Sequence, residues 1–361
     1  MSDYEALAKN VLKRTLKVRA GENVIVETWN HGLPIATEFV YQIRALGARS
    51  LMYLEDEETF WRSAATLPKA KQGKVGDHEW AALKEADAYV FLTGPADIAK
   101  MREVGMDKYN AMIAYNDEWY ERAEKYKIRG ARIGLGYVTE PRARAYGFDL
   151  ESWRRMMLDA SSVDPRELRR AGSKVRRLLS GKGHVEIMHP NGTNFHCDLA
   201  GRKARIDDGV LTPELIEEGE NMASVPAGEA FVAPKETSGE GTIRFDRPVA
   251  YLGRWQRNLM FAFDSGHAKW SAEDTERLRA HFDKVGEGKD LLAGIDIGLN
   301  PRVRTGFLQD YLAQGNVYVA IGNNEEFGGK NTAGFGLAGT LTGATVTIDG
   351  TVVVDAGKIV T

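Results

Sequence analysis

Length, composition and charge limit the classes of protein to which this sequence can belong. Its 361 residues suffice for two domains of roughly 150 residues each, and 43% hydrophobic residues is ordinary for a globular protein. The formal net charge of -3 leaves no basic excess, which argues against a nucleic-acid partner. The single cysteine, Cys197, excludes an internal disulfide and a cysteine-rich zinc module.

The hydropathy pattern carries no signal for a membrane or for export. No run reaches the ~20 apolar residues that a membrane-spanning helix needs. The first residues, MSDYE, lack the basic and then apolar order of a signal peptide. We therefore expect a soluble, cytoplasmic protein with no membrane partner.

The amino-terminal half alternates helix and strand patterns, which predicts an α/β layered domain over residues 1–180. Apolar residues recur at helical spacing in some stretches and form short runs bounded by glycine in others. The predicted helices are residues 4–17, 34–46, 153–158 and 166–179, and the predicted strands are residues 24–26, 50–54, 89–92 and 133–138.

Beyond Gly181 short strands bounded by Gly, Asn and Asp follow one another, which predicts a β-rich second domain over residues 181–361. The predicted strands are residues 185–188, 194–199, 230–233, 242–245, 316–321 and 345–354, and one helix is predicted near 272–282. The fold class is therefore α/β, with an N-terminal α/β layered domain and a β-rich C-terminal domain.

The segment GFGLAG (334–339) matches the GxGxxG dinucleotide fingerprint letter for letter. That fingerprint binds a pyrophosphate at the start of a helix within a βαβ unit. The 22 residues that follow Gly339 read as strands. We therefore predict a tight glycine turn here, or a close approach of two backbones, and no nucleotide.

Histidine and cysteine give weak metal or nucleophile signals. None of the seven histidines lies in an HExxH or HxH pattern, and nothing in the sequence brings His184, His189 and His196 together. His267 follows a hairpin-like turn and is predicted to be solvated. Cys197 is predicted to be a buried, unreactive thiol.

Several motifs follow one another in an order that resembles a known family. They are RAGENVIVE (19–27), GARSLMYL (47–54), HPNGTNFHCDLAGR (189–202), PAGEAFVAP (226–234), IDIGLNP (295–301), GNVYVAIGNN (315–324), FGGKN (327–331) and ATVTIDG (344–350). Together they resemble the aminopeptidase T family of dinuclear metallopeptidases, whose scaffold is shared by the iron-dependent 2,5-dihydroxypyridine dioxygenases. The resemblance implies that fold over nearly the whole chain, and it implies a homodimer.

The family's five metal-ligand positions can be placed on this sequence one at a time. The resemblance puts one glutamate on Glu229, which is retained, and the others on Gly294, Tyr318, Gly336 and Ala338, which replace a glutamate, two histidines and an aspartate. A catalytic metal needs about three protein ligands. The resemblance therefore implies a pocket that has lost its metal, and we expect neither a metal nor another cofactor.

Three functions stay open at this stage. The first is a metal-independent lyase or hydrolase that cleaves a small aromatic molecule by acid/base chemistry, with a role in aromatic compound catabolism. The second is a metal-dependent aminopeptidase or ring-cleaving dioxygenase with relocated ligands, drawn from Glu229, Asp296, Glu236 and a histidine. The third is a non-catalytic binding protein. We favour the first, and the expected partner is a small-molecule substrate.

For the favoured function, Glu229 is the predicted general base or acid, because partial burial at the head of a strand would raise its pKa. Tyr318 is the predicted hydrogen-bond donor to a developing oxyanion. A structural salt bridge of Glu229 and a structural hydrogen bond of Tyr318 are the alternatives. The predicted substrate-binding residues are Lys235, Glu236, Asp296, Asn323, Lys330 and Asn331.

Overall fold

The structure, a computed structural model, describes residues 4–251, 253–273 and 275–360. Packing divides the chain into two units, Met1–Ser162 with Gly209–Ala227 and Val163–Asp208 with Gly228–Thr361. The boundary expected after residue 180 falls inside the second of these units. The domain ranges 1–180 and 181–361 stay a prediction, which limited proteolysis can test.

A parallel sheet forms the centre of the first unit, with the strand order β2-β1-β3-β4-β8. Its strands are β1 (Asn23–Trp29), β2 (Arg49–Glu55), β3 (Ala88–Leu92), β4 (Arg129–Ile133) and β8 (Met222–Val225). Val26, Val90 and Ala131 are fully buried in it. Continuous apolar runs such as AYVFL are typical of parallel strands that are covered on both faces.

Ten helices of the first unit surround this sheet within the described residues. They are α1 (Glu5–Asn10, continued by a π-helical turn at Val11–Thr15), α2 (Leu33–Ala45), α3 (Glu57–Thr66), α4 (Asp77–Lys84), α5 (Lys100–Val104), α6 (Met106–Met112), α7 (Asn116–Lys125), α8 (Glu140–Tyr146), α9 (Leu150–Ala160) and α11 (Pro213–Glu217). Side chains of Asp56, Thr139 and Asp149 accept a backbone N–H at the start of α3, α8 and α9. These caps satisfy N–H groups that have no partner within the helix.

The strand predicted at residues 133–138 is wrong. Strand β4 ends at Ile133, and Gly134–Tyr137 form a 3-10 turn. A Cβ on Gly136 would lie 2.3 Å from the carbonyl oxygen of Thr93, so the chain passes directly over the end of β3. This close backbone approach, which only glycine permits, takes the place of a continued strand.

The second unit contains an antiparallel sheet with the order β14-β13-β10-β6-β5-β18-β19-β20. Its strands are β5 (His184–His189), β6 (Thr193–Asp198), β10 (Glu240–Arg244), β13 (Met260–Asp264), β14 (His267–Ser271), β18 (Thr345–Ile348), β19 (Thr351–Asp355) and β20 (Lys358–Ile359). Alternate residues of β5 and β6 are buried, as the polar–apolar alternation of their sequences predicts. Cys197 lies among the buried residues, and burial raises the pKa of its thiol.

A second antiparallel sheet of this unit has the order β17-β16-β15-β9-β7, and a two-stranded ribbon and two helices complete the unit as far as the structure describes it. The elements are β7 (Arg205–Asp207), β9 (Glu229–Val232), β15 (Leu292–Gly298), β16 (Val317–Gly322), β17 (Gly336–Leu341), the ribbon strands β11 (Val249–Tyr251) and β12 (Arg254–Gln256), α10 (Pro165–Leu179) and α12 (Glu276–Lys284). The tight glycine turn predicted for GFGLAG (334–339) is wrong, because strand β17 begins at Gly336 within that segment. A Cβ on Gly339 would lie 2.4 Å from the Phe245 ring, so the close approach there is to a side chain. Among the described residues, no helix has the length and apolar character needed to cross a bilayer.

Candidate active site

One face of the sheet β17-β16-β15-β9-β7 carries the predicted catalytic residues. Asp296 on β15 lies opposite both Tyr318 on β16 and Phe231 on β9, and Glu229 on β9 lies opposite Gly298. Directly opposed residues project to the same face of a sheet. The residues between them are buried and face the other way: Ala230, Val232, Ile295, Ile297, Val317 and Val319. The alternation therefore gives this sheet one apolar face and one polar, aromatic face.

Glu229 and Asp296 form a carboxyl pair on the polar face. Their side chains are hydrogen-bonded to each other, so at least one of the two carries a proton. Asp296 is only 2% exposed, whereas Glu229 is half-buried. Two carboxyl groups this close cannot both ionise readily, and the pair titrates as a unit.

The two carboxyl groups differ in their surroundings. Burial raises the pKa of Asp296 well above its ordinary value, and the negative charges of Glu229 and Asp207 add to this effect. Burial also raises the pKa of Glu229, but the hydrogen bond with Asp296 opposes that rise. The deeper burial of Asp296 favours the shared proton on Asp296, and Glu229 is the more exposed carboxyl group of the pair.

One oxygen of Asp296 remains unused. Its Oδ1 atom is buried and has no hydrogen-bond partner within the described part of the chain. An unsatisfied buried oxygen costs about 1–3 kcal/mol. Such a cost is typical of a site where a ligand or a bound water completes the hydrogen bonding.

Two tyrosines lie beside the carboxyl pair. The rings of Tyr311 and Tyr318 are 5.6 Å apart, and burial raises the pKa of both phenols, with the charges of Glu229 and Asp296 adding to the rise. Both tyrosines therefore keep their protons across the whole physiological pH range. Each is a neutral hydrogen-bond donor next to a carboxylate.

Asp310 fixes the position of Tyr311. Its carboxylate accepts hydrogen bonds from Arg247 Nε at 2.8 Å and from two backbone N–H groups, those of Gly306 and Phe307. The buried Asn316 side chain donates to the Asp310 carbonyl oxygen at 2.7 Å. These contacts hold the short 3-10 turn Asp310–Leu312 against the sheet.

Phe327 fills the space next to Gly294. A Cβ on Gly294 would lie 2.3 Å from the Phe327 ring, so this ring occupies the place where a side chain at position 294 would begin. The Ala233 N–H donates to the Phe327 carbonyl at 2.7 Å, and the ring packs edge-on against Phe231 at 6.1 Å. Aromatic rings and two carboxyl groups thus share this face.

Of the predicted substrate-binding residues, Asp296 alone contacts Glu229 within the described part of the chain. Glu236 pairs with Arg202 at 2.8 Å and accepts from Asn324, while Asn331 donates to two backbone carbonyls. Asn323 bonds locally with Glu325. Lys235 and Lys330 are exposed. These five residues therefore brace or border the loops around β9 and β16, and their role in binding stays a prediction.

Sequence reasoning missed three residues of this site: Asp207, Tyr311 and Phe327. Asp207 lies opposite Glu229 on β7, a strand of three residues that the sequence pattern did not reveal. Phe327 belongs to the FGGKN motif, which could have drawn attention to it. Nothing in the sequence around Tyr311 marks it as a site residue.

The crowding at Gly294 gives a direct prediction. Gly294→Ala should lower the free energy of unfolding by about 1–3 kcal/mol, because its methyl group must displace the Phe327 ring. Gly336→Ala on the same sheet is the matched control, since a Cβ there meets nothing within 4 Å. Chemical denaturation of both variants and of Gly294→Ala/Phe327→Ala measures the effect. Equal stability of the two single variants would contradict the crowding.

The fold and this site can now be compared with known proteins. Residues 2–292 match the family model described as thermophilic metalloprotease (M29), and the chain therefore belongs to the M29 family. The structure of wild-type AmpT from Thermus thermophilus superposes with a TM-score of 0.79 at 18% identity, covering 99% of each chain. The structure of 2,5-dihydroxypyridine dioxygenase from Pseudomonas putida KT2440 gives 0.62 at 18% identity, covering 100% of this chain and 98% of that one. No curated protein sequence matches this chain significantly.

These comparisons confirm the expected family and the expected fold class, an N-terminal α/β layered domain followed by a β-rich part. The matching family is described as a metalloprotease, and one structural neighbour is a dioxygenase by its name. At 18% identity the two structural neighbours show the fold alone, so they assign no substrate to this chain.

A metallopeptidase family implies a metal, and the residues present do not fit one. Gly294, Gly336 and Ala338, which fall on ligand positions by the resemblance, have no donor atom in their side chains, and Phe327 occupies the space at Gly294. Tyr318, at a fourth position, is a phenol whose raised pKa opposes its use as an anionic ligand. Across the described ranges, no group of three or more His, Cys, Asp or Glu side chains has an arrangement able to hold a metal ion.

Proposed function

We propose that this protein is a cofactor-independent enzyme of the M29 scaffold, a lyase or hydrolase that cleaves a small aromatic molecule by acid/base chemistry. The observation that carries the proposal is the Glu229–Asp296 carboxyl pair, which lies on the face where the family's metal-ligand positions have lost their donors. A proton-sharing pair beside two neutral phenols supplies a base and hydrogen-bond donors without a Lewis acid.

Glu229 is the proposed general base. Its carboxylate lies on the accessible side of the pair, while the proton on Asp296 stabilises it from the buried side. In a lyase step Glu229 removes a hydroxyl proton, the C–C bond breaks as the C=O bond forms, and the released carbon takes a proton from the Glu229 carboxylic acid. In a hydrolase step the same carboxylate would activate water.

Tyr318 and Tyr311 are the proposed donors to the oxyanion that develops on the substrate. Both stay protonated because their phenol pKa values are raised. Preorganised donors of this kind stabilise a developing charge more than the ground state. Asp296 Oδ1, which lacks a partner among the described residues, is available to accept a hydrogen bond from a substrate hydroxyl.

An aromatic substrate is supported by the walls of the site. Phe231, Phe327, Tyr311 and Tyr318 supply aromatic surface on one sheet face. One neighbour of the same fold is, by its name, a dioxygenase for a dihydroxylated pyridine, which is an aromatic ring. The small-molecule partner, the homodimer and the cytoplasmic location stay predictions alongside this proposal.

Elemental analysis of protein purified without chelator, combined with a turnover screen on hydroxylated and carboxylated aromatic compounds, tests the proposal. We expect turnover that a chelator leaves unchanged and a transition-metal content well below one ion per chain. Stoichiometric zinc, manganese, cobalt or iron that is removed together with activity would instead support a metalloenzyme with relocated ligands. Ligand binding without turnover would support a binding protein.

A further inference from the structure

A cavity of about 220 Å³ lies in the first unit, remote in sequence from the carboxyl pair. It borders the face of the parallel sheet that α4 and α7 cover, where Leu83 and Ala123 belong to the same buried cluster as Tyr89. Its walls include Glu27, Tyr53, Trp80, Tyr89, Tyr115 and Trp119. Since a cavity of roughly 150 Å³ in another protein binds benzene, this one has room for a small organic ligand.

The cavity lies next to the point where open parallel sheets bind ligands. From β1 the chain adds β2 on one side of the sheet and later adds β3 and β4 on the other side, so the order of the strands switches between β1 and β3. Open parallel sheets bind ligands in the crevice at such a switch point, at the carboxyl ends of the two strands. Glu27 lies in the carboxyl half of β1, opposite Tyr53 on β2 and Phe91 on β3. The cavity itself lies against the middle of the strands, whereas Trp29, Gly94 and Pro95 beyond the strand ends line a neighbouring cavity of about 270 Å³ that shares Glu27.

The charge of the walls is negative. Glu27 accepts a hydrogen bond from the Tyr89 hydroxyl, and Glu79 also lines the cavity. No Lys or Arg occurs among the described lining residues, and His78 at the rim is exposed. Arg122 stacks on Trp80 at 4.3 Å but is paired with Glu118 and does not line the cavity.

We propose that this cavity binds a small organic cation, an ammonium or quaternary ammonium compound, whose charge faces Glu27 and whose carbon groups contact the aromatic walls. Aromatic rings attract cations through their electron-rich faces, and walls of several such rings are the usual recognition element for quaternary ammonium groups. The carboxylate, rather than the rings alone, sets the preference for a cation over a neutral molecule of the same shape. This site is separate from the function proposed above.

Binding of a cation should release a proton. Burial raises the pKa of Glu27 to about 7, so near neutral pH about half of this carboxyl group is protonated. The titratable groups that face it are Tyr89 on β3, Tyr53 and Glu55 on β2, Glu79 on α4, and Tyr115, which precedes α7. Two cationic side chains lie nearby: Arg132 on β4 lines a neighbouring cavity together with Glu27, and His78 is 3.8 Å from Glu79. A bound cation favours the ionised carboxylate, and the affinity for it should therefore rise as the pH rises through 7.

Isothermal titration of the full chain with choline, and with its neutral isostere 3,3-dimethylbutan-1-ol, tests this site. We expect choline to bind at least about tenfold more tightly than the isostere, with an affinity that increases between about pH 6 and pH 8. Glu27→Gln should weaken choline binding about tenfold or more and abolish its pH dependence. Trp119→Leu should weaken choline binding without changing its pH dependence. Glu58→Gln, at an exposed position of α3, is the matched control that should change neither the affinity for choline nor its pH dependence.

Melting temperatures of the variants show whether each one folds. Equal affinity for choline and the isostere would overturn the proposal, since the cavity would then be merely apolar. Unchanged choline binding by folded Glu27→Gln would also overturn it, as would the absence of choline binding by the wild type. None of these outcomes depends on turnover at the carboxyl pair, so the two proposals can fail separately.

Discussion

Glu229→Gln should lower kcat by about 10²–10⁴-fold for the reaction that the turnover screen identifies, while the fold survives. Glutamine keeps the size of the side chain and still accepts the hydrogen bond from Asp296, but it cannot take a proton. The loss should appear in kcat and in kcat/KM alike, because the base acts in the transition state. Steady-state kinetics with circular dichroism of the same preparation measure both quantities.

Two further variants separate catalysis from structure at this site. Tyr318→Phe should cost roughly tenfold or more, since it removes one donor to the developing oxyanion. Glu326→Gln is the comparison variant, because it removes an exposed charge that raises the Glu229 pKa but keeps the base itself; its kcat should change far less than that of Glu229→Gln. If Glu229→Gln leaves kcat/KM unchanged, the carboxyl pair is structural, and the assignment of the base to this residue is wrong.

Glu27→Gln should make the protein more stable than the wild type above neutral pH, by at most about 3 kcal/mol. Burial raises the pKa of Glu27 from 4.5 to about 7. The hydrogen bond from Tyr89 lowers this pKa, but its effect is smaller than that of burial. Between these two values the native state binds the proton more tightly than the unfolded chain does. The free energy of unfolding of the wild type therefore falls as the pH rises from 4.5 through 7.

Urea denaturation near pH 5 and near pH 8.5 measures this effect. Each tenfold change in proton affinity is worth about 1.4 kcal/mol, which gives the size of the expected difference. Near pH 5 the two proteins should be almost equally stable, because the wild-type carboxyl group is then protonated. Glu55, whose pKa burial raises to about 6, adds a smaller slope that both proteins share. A difference between them that is the same at both pH values would contradict the buried, titrating Glu27.

Much of the fold could be predicted from local patterns. The runs around Val90 and the helical spacing of residues 34–46 gave elements close to β3 and α2, and alternation gave β5 and β6. The short strands β7 and β8 were missed, because three or four residues carry too little periodicity. Strand β8 joins the parallel sheet of the first unit although it comes after three strands of the second unit, and a reading in chain order cannot detect this.

The residues of the site also divide into those that the sequence identified and those that only the structure revealed. Glu229 and Tyr318 could be chosen from the sequence, because they stand in recognisable motifs at the positions of former ligands. Asp296 was named as a substrate contact and as a possible relocated metal ligand, but not as the partner of Glu229, since that pairing depends on the register of β9 against β15. Glu27 was seen only as the last residue of a motif, because its carboxyl group acquires a role only where α4 and α7 cover the sheet.

The sequence by itself determined the family, the order of α/β and β-rich parts, and the loss of donors at Gly294, Gly336 and Ala338, since each of these depends on residue identity or on local spacing. Only the tertiary structure decided which side chains share a sheet face, which carboxyl group of the Glu229–Asp296 pair is the more deeply buried, and where the cavity beside Glu27 opens. These properties depend on strand register and burial, which arise from contacts between residues far apart in the chain. The free energy of a buried charge is set by those contacts rather than by its neighbours in sequence.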